Sequence, residues 1–230
     1  FEVALIDITM PGMDGVQLLE IIKKSQPQIE CIMITALDEA RTAVNCLKRG
    51  AYDYLVKPVS KEDLISSIQR AMERKRLLDI LTIGKQKSIP ELKSPTAFAP
   101  IITGNDQMIR ILKIAELHAA SDSPVLITGE TGTGKELLSQ AIHAASDRRD
   151  RQFTAINMDA ITDSLFDAEF FGHTKGAFTG AEKDRTGYLE STHKGTLFLD
   201  EIGNLAPSLQ GKLLRVLQSG EFIKIGTNTS

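Results

Sequence analysis

The feature that most constrains this chain is "PVLITGETGTGKE", residues 124–136. An apolar strand-like run stands before Gly129-x-x-x-x-Gly134-Lys135, and an apolar helical pattern follows. A Walker A phosphate loop requires that context. Its glycines let backbone N–H groups turn toward phosphate oxygens, and the helix N-terminus adds a favourable dipole. The candidate ATP-binding residues are therefore Gly129, Glu130, Thr131, Gly132, Thr133, Gly134, Lys135 and Glu136, with Lys135 reaching the β- and γ-phosphates. A glycine-rich turn without a ligand is the alternative. Glu136 stands where Ser or Thr usually offers a hydroxyl to Mg2+, so metal placement must rest on water and downstream carboxylates. "TLFLDE" supplies those as Asp200 and Glu201. At the end of a Walker B strand the first acid helps hold the metal, and the second orients and activates the attacking water.

The 230 residues allow one or two domains. In the first sixty or so positions, the strand-like runs "EVALID", "CIMIT" and "YDYLVKP" alternate with helical patterns over 16–24 and 39–49. That alternation predicts right-handed βαβ crossovers and a parallel sheet. Ligands of such sheets bind beyond the carboxyl ends of the strands. Asp7, Thr35 and Lys57 each follow a strand-like run, so they should converge on one edge. Ser60 with Asp63 resembles a capping box for a helix carrying Leu64, Ile68 and Ala71, which continues through "RAMERKRLLDIL". Its basic cluster, Arg70, Arg74, Lys75 and Arg76, reads as a solvated face. "GKQKSIPELKSPTAFAP" lacks periodicity and reads as a linker. A second α/β pattern follows. Met108, Ile111, Leu112 and Ala115 share a helix face, 136–145 is helical, and "PVLIT", "FTAIN" and "GTLFLDE" are strands. The expected fold is α/β, with two doubly wound parallel-sheet domains at 1–80 and 100–230 and a linker at 81–99.

A net charge of −3 argues against a whole-chain nucleic-acid binder. Cys31 and Cys46 lie in apolar-periodic segments without metal-ligand spacing, which predicts reduced, buried thiols in a cytoplasmic protein. No apolar run approaches the ~18 residues that would span a membrane, and no signal peptide is evident. The chain opens inside a strand-like run without Met and closes on "KIGTNTS", so it reads as a fragment.

"GETGTGKE", "FFGHTKGAFTGA" and "GTLFLDEI", in this order, resemble the AAA+ domain of bacterial enhancer-binding proteins, the NtrC family of sigma-54-dependent activators. In that family Glu replaces the Walker Ser or Thr as a rule, so Glu136 supports the resemblance. Membership implies a Mg2+-dependent ATPase that assembles from dimer to hexamer or heptamer ring and remodels sigma-54 RNA polymerase. Gly176, Ala177, Phe178, Thr179, Gly180 and Ala181 match the family's GAFTGA loop, expected as an insertion in a helix whose tip, Phe178 and Thr179, touches sigma-54. A large ring among small residues fits an interaction anchor; a Phe folded back onto its own domain is the alternative. By the same resemblance Asn157 hydrogen-bonds the catalytic Glu201, and Ile102 lines an adenine pocket. "DAEFFGH" stands where "ESELFGH" is commoner. An arginine finger, a lid and a helix-turn-helix for enhancer DNA are implied beyond Ser230.

Taken by itself, Asp7 in "LIDITMPGMDG" is either a nucleophile toward a phosphoryl donor or a turn acid. Together with "MITA" and "YLVKP", that stretch resembles the last three strands of a response-regulator receiver domain, over residues 1 to about 80. The resemblance makes Asp7 the phosphoacceptor and a Mg2+ ligand, beside an acidic pair that would precede residue 1. It makes Thr35, Tyr54 and Lys57 the switch residues, Pro58 a cis proline, and a sensor histidine kinase the cognate partner. Two rivals are a different AAA+ remodelling ATPase, such as a chelatase or helicase relative, and a non-catalytic phospho-switch held together by nucleotide.

Overall fold

The computed structural model describes residues 1–36, 40–84, 89–178 and 180–227, and the chain divides into two units, Phe1–Ser88 and Ile89–Ser230. In the first, the alternation in the sequence becomes β1 (Val3–Asp7), α1 (Gly15–Ser25), β2 (Glu30–Thr35), α2 (Ala40–Lys48), β3 (Asp53–Val56) and α3 (Lys61–Ile83). The strands form a parallel sheet in the order β1-β2-β3. Register pairs Asp7 with Ile34 and Thr35 with Val56, so all three strands end at one edge. Ile6, Ile8, Leu19, Ile29, Cys31, Met33 and Cys46 fill the core on the α1 side. Both thiols are free and buried, and burial pushes their pKa values up, which keeps them inert.

Helix α3 is continuous, and Ser60 caps it by accepting the Asp63 N–H at 3.0 Å. Its basic residues are not merely solvated. Arg74 donates to the carboxylate of buried Glu30 at 2.6 Å, Arg70 reaches Asp53 at 3.3 Å, Lys75 meets Asp79 at 2.9 Å, and Arg76 pairs with Glu73. A carboxylate taken out of water needs a cationic partner. Arg74 provides it from a position that periodicity alone assigns to solvent.

The second unit contains α4 (Pro95–Phe98), α5 (Asp106–Ala119), α6 (Lys135–Ala145), β4 (Phe153–Asn157), a 3₁₀ turn (Met158–Ala160), α7 (Asp163–Phe170), β5 (Gly172–His173), β6 (Arg185–Thr186), α8 (Tyr188–Ser191), β7 (Thr196–Asp200), a second 3₁₀ turn (Ile202–Asn204) and α9 (Pro207–Ser219). Strands β4 and β7 pair in parallel, from Phe153 opposite Thr196 to Asn157 opposite Asp200. Helix α6 docks on them: His143 Nδ1 lies 2.9 Å from Thr196 Oγ1, and its ring packs on Phe153 at 5.3 Å. Phe166 and Phe170 stack at 4.4 Å in a core shared with Leu209 and Leu213 of α9, which accommodates the first Phe of "DAEFFGH", where Leu is commoner.

Two expectations change. The run "PVLIT" is not a strand; residues 124–128 join no ladder among the described residues, and Leu126 is 77% exposed. Apolar β-branched residues favour a strand, but neighbouring backbone must complete it. Residues 91–98 of the segment read as a linker pack on α5. Phe98 is buried against Leu112, Ala115 and Leu138, Lys113 donates to the Glu91 carbonyl, and Glu116 accepts the Ser94 N–H, the last two both at 2.6 Å. Lys113 and Glu116 also form a buried ion pair at 2.6 Å. Residues 85–88 lie outside the described residues.

Candidate functional site

Lys135 opens α6, and Gly134 before it holds φ +88°, where a Cβ would be penalised. The loop is tied internally. Thr133 Oγ1 donates to the Glu130 carbonyl at 2.8 Å, and Lys135 Nζ donates to the carbonyls of Gly129 and Glu130, both at 3.2 Å. Those acceptors are neutral, and phosphate oxygens would form stronger charge-assisted bonds with the ammonium. Gly129, Glu130, Thr131, Gly132, Thr133 and Gly134 are all exposed. The Glu136 carboxylate accepts from Gln140 at 3.2 Å. Ile102 is 97% exposed, in open solvent rather than in a pocket wall.

Asp200 ends β7, and its Oδ1 accepts the Glu201 N–H at 3.0 Å. Glu201 leaves the strand at φ +52°, which turns the chain sharply after the acidic pair. Asn157 occupies the matching end of β4, opposite Asp200. The expected Asn157–Glu201 bond is not formed among the described residues: Asn157 Oδ1 accepts the Asp159 N–H at 2.9 Å and caps the 3₁₀ turn. A short polar side chain at a strand exit satisfies the nearest free backbone donor first. The described residues contain no group of three Asp, Glu, His or Cys side chains poised for a metal. One carboxylate suffices for Mg2+, which keeps waters and takes its remaining ligands from substrate phosphates.

The GAFTGA loop lies between β5 and β6, antiparallel strands pairing Gly172 with Thr186, and not within a helix. Its base closes through Gly176 N to the Ala181 carbonyl at 2.8 Å, and Gly176 and Gly180 hold φ +81° and +100°. Phe178 is 46% exposed, and its other face lies edge-on to buried His173 at 4.8 Å. Both alternatives for this ring are thus partly realised: it is displayed, yet it has a seat. Thr179 lies outside the described residues. The sequence reading missed His173 and also the 223–226 segment, where Ile225 exchanges backbone bonds of 3.0 Å with Gly172 and Thr174. No local periodicity marks either.

In the first unit the strand-end residues do converge. Lys57 Nζ meets Asp7 Oδ2 at 2.5 Å, and the Lys57 N–H donates to the Thr35 carbonyl at 2.8 Å. Lys57 beside Asp7 holds that carboxyl below the usual range; burial opposes the lowering, and the Thr9 N–H adds to it. Thr35 is fully buried and donates its hydroxyl to the Ala36 carbonyl at 3.1 Å. Tyr54 packs partly buried against the core, and the Lys57–Pro58 bond is cis.

Comparison with known proteins gives two domain matches. Residues 101–230 match the sigma-54 interaction domain, and residues 1–69 match the response regulator receiver domain. The transcriptional regulatory protein ZraR of Klebsiella oxytoca is 41% identical over 228 residues, 99% of this chain and 49% of that protein. The regulatory protein AtoC of Escherichia coli is 41% identical over 98% of this chain and 48% of its own length. The chain thus spans about half the length of the curated relatives it matches. Crystal structures of NtrX from Brucella abortus, one of them in complex with ATP, share 31% identity and a TM-score of 0.50 over 99% of this chain and 48% and 47% of theirs. No helix among the described residues is long and apolar enough to cross a membrane. With a sigma-54 interaction domain over more than half its length and a receiver domain before it, the chain belongs to the NtrC-type family of sigma-54-dependent response regulators.

Proposed function

We propose that the protein is a cytoplasmic two-component regulator that hydrolyses ATP to ADP and phosphate in order to remodel sigma-54 RNA polymerase, under control of phosphorylation at Asp7. The observation that carries this reading is the placement of Asp200 and Glu201. They stand together at the exit of β7, on the sheet where α6, which begins with Lys135, is docked. Lys135 exchanges its loop carbonyls for the β- and γ-phosphates, and Glu201 takes the proton of the water attacking in line with the leaving ADP. Asp200 would hold Mg2+ together with phosphate oxygens and water; the bound ion neutralises charge on the phosphates. Asn157 stands opposite Asp200 and withholds or releases Glu201 once its cap on Asp159 loosens.

In the first unit an Asp7 oxygen attacks the phosphorus of a phosphohistidine on a cognate sensor kinase, the P–N bond breaks, the kinase imidazole leaves with its electron pair, and Lys57 and Thr35 contact the new acyl phosphate. The added charge of about −1.5 to −2 changes what Lys57 and Thr35 bind. A ring of this chain, from dimer to hexamer or heptamer, would present Phe178 to sigma-54, and a further domain would hold enhancer DNA.

The test is Glu201→Gln in the full-length protein. The variant should bind ATP but lose turnover by about 100-fold or more, and transcription from a sigma-54 promoter should vanish with it. Phe178→Ala should lose transcription while keeping ATP turnover. Unchanged output in Glu201→Gln would replace the enzyme with a scaffold.

A further inference from the structure

Glu201 holds a left-handed backbone, φ +52°, that residues with a Cβ adopt only where surrounding bonds enforce it. Three hydrogen bonds surround that turn. The Glu201 N–H donates to Asp200 Oδ1, the Asn204 N–H donates to the Glu201 carbonyl, and Asn204 Nδ2 donates to Asp159 Oδ1, each at 3.0 Å. Only the last leaves β7 and its turn. It crosses to the 3₁₀ turn after β4, where the Asp159 N–H is itself bound by Asn157. Since Asn157 lies opposite Asp200 in the sheet, the bonds close a circuit: Asn157, Asp159, Asn204, Glu201, Asp200 and back across the ladder.

We propose that Asp159 and Asn204 are positioning residues for ATP hydrolysis: their side-chain bridge ties the exits of β4 and β7 together and thereby sets Glu201 against Asn157. The inference rests on the reading of Glu201 as the group that activates water. The donor is an amide and the acceptor a carboxylate, so the bridge has a direction and one way to be reversed. Neither residue touches nucleotide phosphates in this role. Their effect belongs in the rate of the chemical step, with ATP affinity untouched.

The test is a set of variants in the full-length protein, read by steady-state ATP hydrolysis and by thermal melting. Asn204→Ala should lower kcat about 5-fold with KM for ATP within about 2-fold of wild type, an effect in the range of side chains coupled through one network. Asn204→Asp should lower it further, because two carboxylates then face each other at the bridge. The double variant Asp159→Asn with Asn204→Asp exchanges donor and acceptor, and should return kcat to within about 2-fold of wild type. Restoration of the melting temperature without restoration of kcat would overturn the proposal, leaving the bridge as structure alone. Full kcat in Asn204→Ala would overturn it as well. A failure of the underlying reading looks different: the wild type would not hydrolyse ATP, or Glu201→Gln would hydrolyse it normally.

Discussion

The two sites of this chain are assembled on different principles. In the first unit, Asp7 and Lys57 come from β1 and from the end of β3, fifty residues apart, yet their side chains meet at 2.5 Å. Parallel register across β1, β2 and β3 puts them there, so the geometry is set by the ladder. In the second unit Lys135 rests on the carbonyls of its own loop, and the run leading into that loop, 124–128, joins no ladder among the described residues. A strand-end site is preorganised by the sheet. On the proposed reading the phosphate loop is completed by its ligand, whose charged oxygens would take over bonds that neutral carbonyls hold.

The comparison would break first at Lys135. Replacing it with Ala removes the cation proposed to face the phosphates, and truncating one member of such a pair costs about 2–5 kcal/mol. ATP affinity, measured with a fluorescent nucleotide, should therefore fall about 30-fold or more. Retained affinity would mean that the loop backbone alone is the cradle. Next in size is Asp7→Asn, which should abolish acid-labile labelling by a phosphoryl donor in the full-length protein while leaving ATP binding unchanged. Equal labelling would remove Asp7 from the role and with it the preorganised half of the contrast.

The smallest effect concerns acid, and it sharpens the contrast instead of breaking it. The Asp7 carboxyl is lowered by Lys57, so its contribution is present above the ordinary carboxylate range and is lost as pH falls through the lowered value. Lys57→Met should move the Asp7 midpoint upward in an NMR titration. Glu116 follows the same sign. Burial pushes it up, but the Lys113 ammonium and the N–H groups of Ser94 and Lys93 outweigh that and hold it low. The 91–94 segment should therefore loosen as pH falls through and below the ordinary carboxylate range, seen as faster amide exchange at Ser94.

Much of this was legible in the chain. Alternating strand and helix patterns placed Asp7, Thr35 and Lys57 on one edge because a parallel sheet with short crossovers leaves them nowhere else. Asp200 and Glu201 were legible because a strand-forming run ends on them. Less legible were contacts whose members lie far apart in sequence without periodicity: Arg74 with buried Glu30, His173 under Phe178, and Asn204 with Asp159. Asn157 shows the limit from the other side. Its place beside the acidic pair follows from the strands, but its hydrogen bond went to the nearest backbone donor, Asp159, because local capping competes well with a longer reach.

The sequence by itself determined the element types and the chemistry carried at their ends. Backbone preference, apolar spacing and the glycine pattern act locally, and a run such as "TLFLDEI" carries enough of each. Only the tertiary structure decided which bonds the polar side chains at those ends make and which distant residues they meet. Those depend on register between strands and on the free energy of burying charge, as at Glu30 and Glu116. Neither quantity exists until distant segments pack, which is also why "PVLIT", with every local mark of a strand, is not one without a neighbour to pair with.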